Sequence, residues 1–193
     1  MAKRKYGKKH ITGKMRLAFP HLFTPQKTNN GSLEFSCALL ADPKDPAQKA
    51  DLKKLKANCQ AVAMEAFGTL DGVKLPFKDG SLKSQYDGYA GMIVMNAHTT
   101  RRVGVVGEDP NIPITMESDV YSGCYVRASL VPASYPDMGN GAGVTLYLGN
   151  VQKVADGERF GGGAAEPSDE FSTVEESSTD DDTSYDEEDM LGF

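Results

Sequence analysis

The sequence predicts a mainly β fold with one long helix, a β-rich α+β domain wound as a small Greek-key barrel. Three observations predict it. Short alternating apolar and polar segments recur between residues 11 and 148. One amphipathic helical segment, capped at both ends, interrupts them. Loops rich in Gly and Pro separate the remainder. At Gly161, Gly162 and Gly163 the composition turns to Ser, Thr, Asp and Glu, with too few apolar residues to offset chain entropy. The expected organisation is a basic flexible arm over 1–10, a folded domain over 11–160, and a glycine linker with a disordered acidic tail over 161–193.

The first strand is ITGKMRLAF, residues 11–19. Its alternation sends Ile11, Met15, Leu17 and Phe19 inward and Thr12, Lys14 and Arg16 outward. PHLFTPQKTNNG follows as a long loop, with Asn29, Asn30 and Gly31 supplying turn chemistry. Residues 33–40 (LEFSCALL) form the second strand, with Leu33, Phe35, Cys37 and Leu39 inward. Asp45 then caps a helix, with Pro46 at its first position and Gln48 three residues beyond the cap. Leu52, Leu55, Cys59, Val62 and Ala66 make one apolar stripe, and Gly68 ends the helix after Phe67.

A polar loop spans 69–90 and carries Lys83, Tyr86 and Tyr89. GMIVMNAH (91–98) reads as a buried strand, and RRVGVV (101–106) as a short one that opens on Arg101 and Arg102. GCYVRASLV (123–131) alternates most clearly, with Cys124, Val126, Ala128 and Leu130 opposite Tyr125, Arg127 and Ser129. VTLYL (144–148) alternates again, with Thr145 and Tyr147 on the polar side.

Charge separates the two ends. The net charge of −6 conceals a body, residues 1–160, with 21 bases against 15 acids, and a tail with 12 acids and no base. Five basic side chains stand in the first ten residues, and no acid precedes Glu34. A basic body of this kind has a polyanion as its natural partner. No run approaches the roughly 18 apolar residues of a membrane span, and the basic N-terminus lacks the apolar core of a secretory signal. Cys37, Cys59 and Cys124 are widely spaced and not interleaved with His, which predicts reduced thiols and no metal or other cofactor. The three histidines accompany no nucleophile elbow, no HExxH and no phosphate loop, so catalysis is not expected.

Nucleic-acid binding fits the outward faces better. Lys14 and Arg16 share one face of the first strand, Tyr125 and Arg127 share one face of the 123–131 strand, and Tyr147 stands on the last. Bases stack on aromatic rings while Arg and Lys neutralise phosphates, and stacking requires unpaired bases. The candidate DNA-binding set is Lys14, Arg16, Lys83, Tyr86, Tyr89, Arg101, Arg102, Tyr125, Arg127, Tyr147 and Lys153. The element order suits a five-stranded barrel of the OB type, which binds oligonucleotides on one face. The helix follows the second strand here, whereas in many such barrels it follows the third.

ITGKMRLAFPHLFTP near the start, YSGCYVRASLVP (121–132) and YLGNVQKVADGERFGGG (147–163) resemble a family of single-stranded DNA-binding proteins of tailed bacteriophages and prophages. The resemblance spans roughly residues 5–163. It implies an OB-fold core that coats single strands in phage replication and recombination, in the cytoplasm of an infected or lysogenic bacterium. It also implies an acidic C-terminal tail ending in an aromatic.

The chain ends Asp186, Glu187, Glu188, Asp189, Met190, Leu191, Gly192, Phe193. Such a tail is expected to compete with DNA for the basic body by effective concentration, and to recruit phage or host replication and recombination proteins. Leu191 and Phe193 suit an apolar pocket on a partner, with the acids meeting basic residues around it. Duplex DNA and a second copy of the chain stay open as further partners. The alternative is a host-directed interaction protein whose acidic tail mimics DNA.

Overall fold

Alternation closes into a barrel. The computed structural model describes residues 4–161. These form β1 (His10–Ile11), β2 (Met15–Lys27), β3 (Leu33–Ala41), α1 (Pro46–Phe67), β4 (Lys78–Asp79), β5 (Ile93–Thr99), β6 (Val105–Val106), β7 (Tyr125–Tyr135) and β8 (Gly143–Ala155). The tail residues Asp186, Glu187, Glu188, Asp189, Met190, Leu191 and Phe193 lie outside the described residues. No helix among the described residues is long and apolar enough to cross a membrane.

Five strands are long, and they form a ring. β2 pairs with β3, β3 with β5, β5 in parallel with β8, β8 with β7, and β7 returns to β2. Numbered along the chain, the long strands stand in the order first, second, third, fifth, fourth. β1, β4 and β6 are two-residue additions on β7, β5 and β8. The expected five-stranded Greek-key barrel is present, with α1 between its second and third strands.

The interior is built from alternate residues of each strand, and the register shifts in β2 and β8 switch the parity so that Leu22 and Val151 also face inward. Met15 and Leu17, Cys37 and Leu39, Met95 and Ala97, Val126 with Ala128 and Leu130, and Val144 with Leu146 and Leu148 all point inward and are buried. Leu55, Cys59, Val62 and Ala63 of α1 join them. Each large side chain so buried contributes about 1.5–3 kcal/mol. Leu130→Ala would cost about 2–5 kcal/mol by opening a cavity at the barrel axis. The helix ends follow the sequence. The Asp45 carboxylate accepts from the Ala47 and Gln48 amides at 2.8 and 3.1 Å, and Gly68 closes the C-terminus at φ 72°.

Three expectations about the chain path are corrected. The predicted loop after Phe19 is strand, because β2 runs on to Lys27. Its pairing with β3 shifts register between Ala18 and His21 and again before Gln26, and Pro20 and Pro25 fall in the gaps between paired residues. A proline lacks the ladder N–H, so bulges are where a strand tolerates one. The first bulge also turns Phe19 outward, where it is 47% exposed. Ile11 and Leu33, expected inside, lie at strand ends and are exposed, whereas Thr12 is fully buried and accepts from the Ala128 amide through Oγ1 at 3.0 Å.

The third correction concerns the arm. From Lys5 onward the segment expected to be flexible lies along β7. Gly7 N donates to Pro132 O at 2.8 Å, Ser134 N to Lys5 O at 2.9 Å, and Thr12 N to Ala128 O at 2.9 Å. Backbone amides make this pairing, so a run of cationic side chains does not prevent it. Helix α1 grips the same segment. Asn58 bonds both the N–H and the C=O of Lys8, and Asp51 accepts from His10 Nε2 at 2.9 Å and from Gly13 N at 3.0 Å.

A second, smaller apolar layer lies outside the barrel. Ala18, Ala38, Leu40 and Val94 face outward and are covered by Tyr89 from the segment between α1 and β5. That cover leaves only part of the outer sheet open.

Candidate nucleic-acid interface

Strand registers place three rows of side chains across the outer face. His21 on β2 pairs with Ser36 on β3, Ser36 with His98 on β5, and His98 with Tyr147 on β8. The next row is Ala18, Ala38 and Asn96, and the third is Tyr125, Arg16, Leu40, Val94 and Lys78. Tyr89 covers the apolar members of the second and third rows. The first row stays open as a groove of about 450 Å³, walled by Phe19, Lys83, Tyr86 and Tyr89 and lined also by Glu34.

Rings wall the groove and continue past His98 at one side of it. Phe19 meets Tyr86 edge-on with centroids 5.2 Å apart and Tyr89 at 6.1 Å. His98 meets Tyr147 at 5.4 Å, and Tyr147 is stacked on Tyr6 at 6.2 Å. Arg4 lies over the Tyr147 ring at 5.6 Å and donates to its hydroxyl. Phe19 has φ 45°, the one described non-glycine residue with positive φ. The bulge on β2 and a bond from Phe19 N to Ser122 Oγ at 3.0 Å hold it there.

A second patch adjoins the first. The Arg16 guanidinium lies over Phe160 at 4.3 Å and over Tyr125 at 5.3 Å. It donates to the carbonyls of Gly123 at 3.0 Å and Glu158 at 2.5 Å. Lys14 Nζ lies 4.3 Å from the Tyr125 ring centre. Phe160 rests on Gly88, whose φ is 76° and where a Cβ would come 2.3 Å from the ring. Phe160 shares a cavity with Phe19, Tyr86 and Tyr89, so the two patches are continuous.

The predicted residues therefore divide. Lys83, Tyr86 and Tyr89 line the groove, and Tyr147 stands beside it against His98. Tyr89 is 4% exposed, so its ring serves the outer apolar layer as well as the wall, and burial raises its hydroxyl pKa. Lys14, Arg16 and Tyr125 make the second patch. Tyr125 is already in contact with two cations of its own chain. Arg127 is exposed and its Nε donates to Thr12 O at 3.2 Å. Lys153 is paired with Asp156 at 2.6 Å, beside the Tyr121 ring. Arg101 and Arg102 are exposed in the turn after β5.

Phe19, His21, Glu34, Ser36, Asn96, His98, Arg4 and Tyr6 escaped sequence reasoning. For four of them a signal existed. Glu34, Ser36, Asn96 and His98 are polar residues at alternate positions of otherwise apolar strands, which marks an outer face. Buried Cys37 lies beneath this face, and desolvation pushes its thiol pKa up to about 12, which leaves it an inert packing group. No group of three or more His, Cys, Asp or Glu suited to a metal ion occurs among the described residues.

A closed five-stranded barrel of this winding, with an open aromatic groove across its second and third strands, is an OB barrel of the oligonucleotide-binding class. The chain matches, over residues 8–184, the family model described as Enterobacter phage Enc34, ssDNA-binding protein, and it belongs to that family. It is 32% identical over 170 residues to putative protein p50 of Acyrthosiphon pisum secondary endosymbiont phage 1, covering 81% of this chain and 89% of the relative. Its fold matches the single-stranded DNA-binding protein from bacteriophage Enc34 in complex with ssDNA, at a TM-score of 0.67 and 23% identity over 78% of this chain and 88% of the other. It also matches gp2.5, a single-stranded DNA-binding protein encoded by bacteriophage T7, at 0.57 and 16% identity over 90% and 100% of the two chains.

Proposed function

We propose that this chain coats single-stranded DNA in phage replication and recombination, largely independently of sequence and without turnover. The observation that carries the reading is the open row His21, Ser36, His98 and Tyr147, flanked by Phe19, Tyr86, Lys83 and Arg4. Exposed rings offer stacking surfaces to unpaired bases, each worth about 1–3 kcal/mol. Lys83, Arg4 and the patch at Lys14 and Arg16 supply counter-charge along the strand. Duplex bases are already stacked and cannot enter the groove in this way.

The same reading assigns the acidic tail. Its 12 acids, tethered beyond the glycines at 161–163, compete with DNA for the basic surface, and DNA releases them to recruit replication proteins through Leu191 and Phe193. The test is fluorescence anisotropy of labelled single- and double-stranded oligonucleotides, with the full chain and with a chain ended after Gly161. The expected result is preference for the single strand in both. The shortened chain binds more tightly at low salt, and the gap closes as salt rises. Equal affinity of the two chains at low salt would remove the competition, and preference for duplex would remove the groove reading.

A further inference from the structure

Resting on that reading, we propose that Glu34 fixes which way the strand faces in the groove and which bases it favours. Glu34 is the one acid lining a groove otherwise made of rings, small polar and apolar groups, and Lys83. It stands on the outward parity of β3, two residues from Ser36 in the floor. Its side chain is 24% exposed. Its contacts are Ser32 Oγ at 3.4 Å and His98 Nδ1 at 3.8 Å, one to each oxygen. An ionised carboxylate offers about four acceptor positions, so these two long contacts leave capacity directed at a ligand.

A carboxylate at this place repels phosphate and accepts from N–H. The DNA backbone is therefore held at the rim, near Lys83 and Arg4, and the bases turn inward to the sheet. Cytosine N4 and adenine N6 are amino donors, and guanine presents N1–H beside N2–H₂, a two-pronged match to a carboxylate. Thymine and uracil offer a single N3–H between two carbonyl oxygens, which the carboxylate repels. Acceptance from cytosine N4 by Glu is an established pairing chemistry in base recognition. The groove thus stacks every base but penalises thymine and uracil, the bases with no exocyclic amine to donate.

Oligodeoxycytidine and oligodeoxyuridine of equal length test this, since both lack the thymine methyl and are similar in size. Their affinities are compared for the full chain and for Glu34→Gln at one salt concentration and pH 7.5. The expected result is about 5-fold or greater preference for the cytidine oligomer in the parent. In Glu34→Gln the ratio falls toward one and uridine binding tightens, because the amide repels no carbonyl and can donate to it. An unchanged ratio in Glu34→Gln, or no preference in the parent, overturns the assignment. If neither oligomer binds the parent, the single-strand reading itself fails, and that outcome is distinct from binding without preference.

Discussion

Phe19 and Tyr86 meet edge to face with ring centroids 5.2 Å apart, and Phe19 reaches that contact only by taking φ 45°. A non-glycine residue in the left-handed region costs about 1–3 kcal/mol. The bulge after Ala18 imposes the geometry, and its product is a half-exposed ring at the mouth of the groove. Strain of this kind is retained where the surroundings over-determine it, and under the proposed function the ring it exposes is a stacking surface for an entering base.

Phe19→Gly separates the two roles. Glycine takes the positive φ without strain, which offsets the loss of a ring that is already half in water. Stability in urea is expected to stay within about 1 kcal/mol of the parent, while affinity for oligo-dT falls about 5- to 150-fold, as for one lost stack. Phe19→Ala loses the same stack but keeps the strain, so it should be the less stable of the two. If both variants bind like the parent, Phe19 is a structural ring and the groove mouth has been misplaced.

Arg16 couples the barrel to the segment after β8. Its fork bonds Gly123 O and Glu158 O, and its plane lies on Phe160 and Tyr125. A lysine has neither the fork nor the plane. Arg16→Lys and Arg16→Ala should therefore both lower the melting temperature by several degrees, with little rescue by Lys. DNA binding behaves differently. Arg16→Lys keeps the charge, so the dependence of log affinity on log salt should hold, while Arg16→Ala reduces that slope by about 0.7, one phosphate on a single strand. Equal slopes in the two variants would show that Arg16 acts only through the fold.

Much of the barrel was legible because inward residues alternate over long stretches, from Met15 and Leu17 to Leu146 and Leu148, and the parity switches only past the register shifts, at Leu22 and Val151. The helix was legible because Asp45, Pro46 and Gly68 are local signals that act within a few residues. The groove was less so. Phe19 reads as inward by parity, and the bulge that reverses it depends on pairing with β3, a partner more than ten residues away. Tyr89 lies in a polar loop, and its burial comes from the outward apolar residues Ala18, Ala38, Leu40 and Val94, which no single segment reveals. Tyr6 and Arg4 reach Tyr147 because residues 5–12 follow β7, a pairing made by the backbone and invisible in side-chain pattern.

Asp51 gives that last attachment a pH dependence. Burial works against its ionisation, but the bonds from His10 and Gly13 and the charges of His10 and Lys54 outweigh burial and hold its carboxyl below the ordinary value of 3.8. A folded pKa below the unfolded one means that the ionised form favours the folded chain. The contribution is complete above the ordinary carboxylate range and is lost as pH falls through the lowered value. Stability of the parent should therefore decline between pH 5 and pH 3 more steeply than that of Asp51→Asn, whose amide does not titrate. Urea midpoints at a series of pH values measure the difference. Because Asp51 ties down the segment that carries Arg4 and Tyr6 to Tyr147, hydrogen exchange of the Gly7 and Thr12 amides should quicken in Asp51→Asn at pH 7, where the barrel remains folded. Exchange as slow as in the parent would mean that backbone pairing with β7 alone holds the segment, and that the carboxylate contributes nothing to the groove wall.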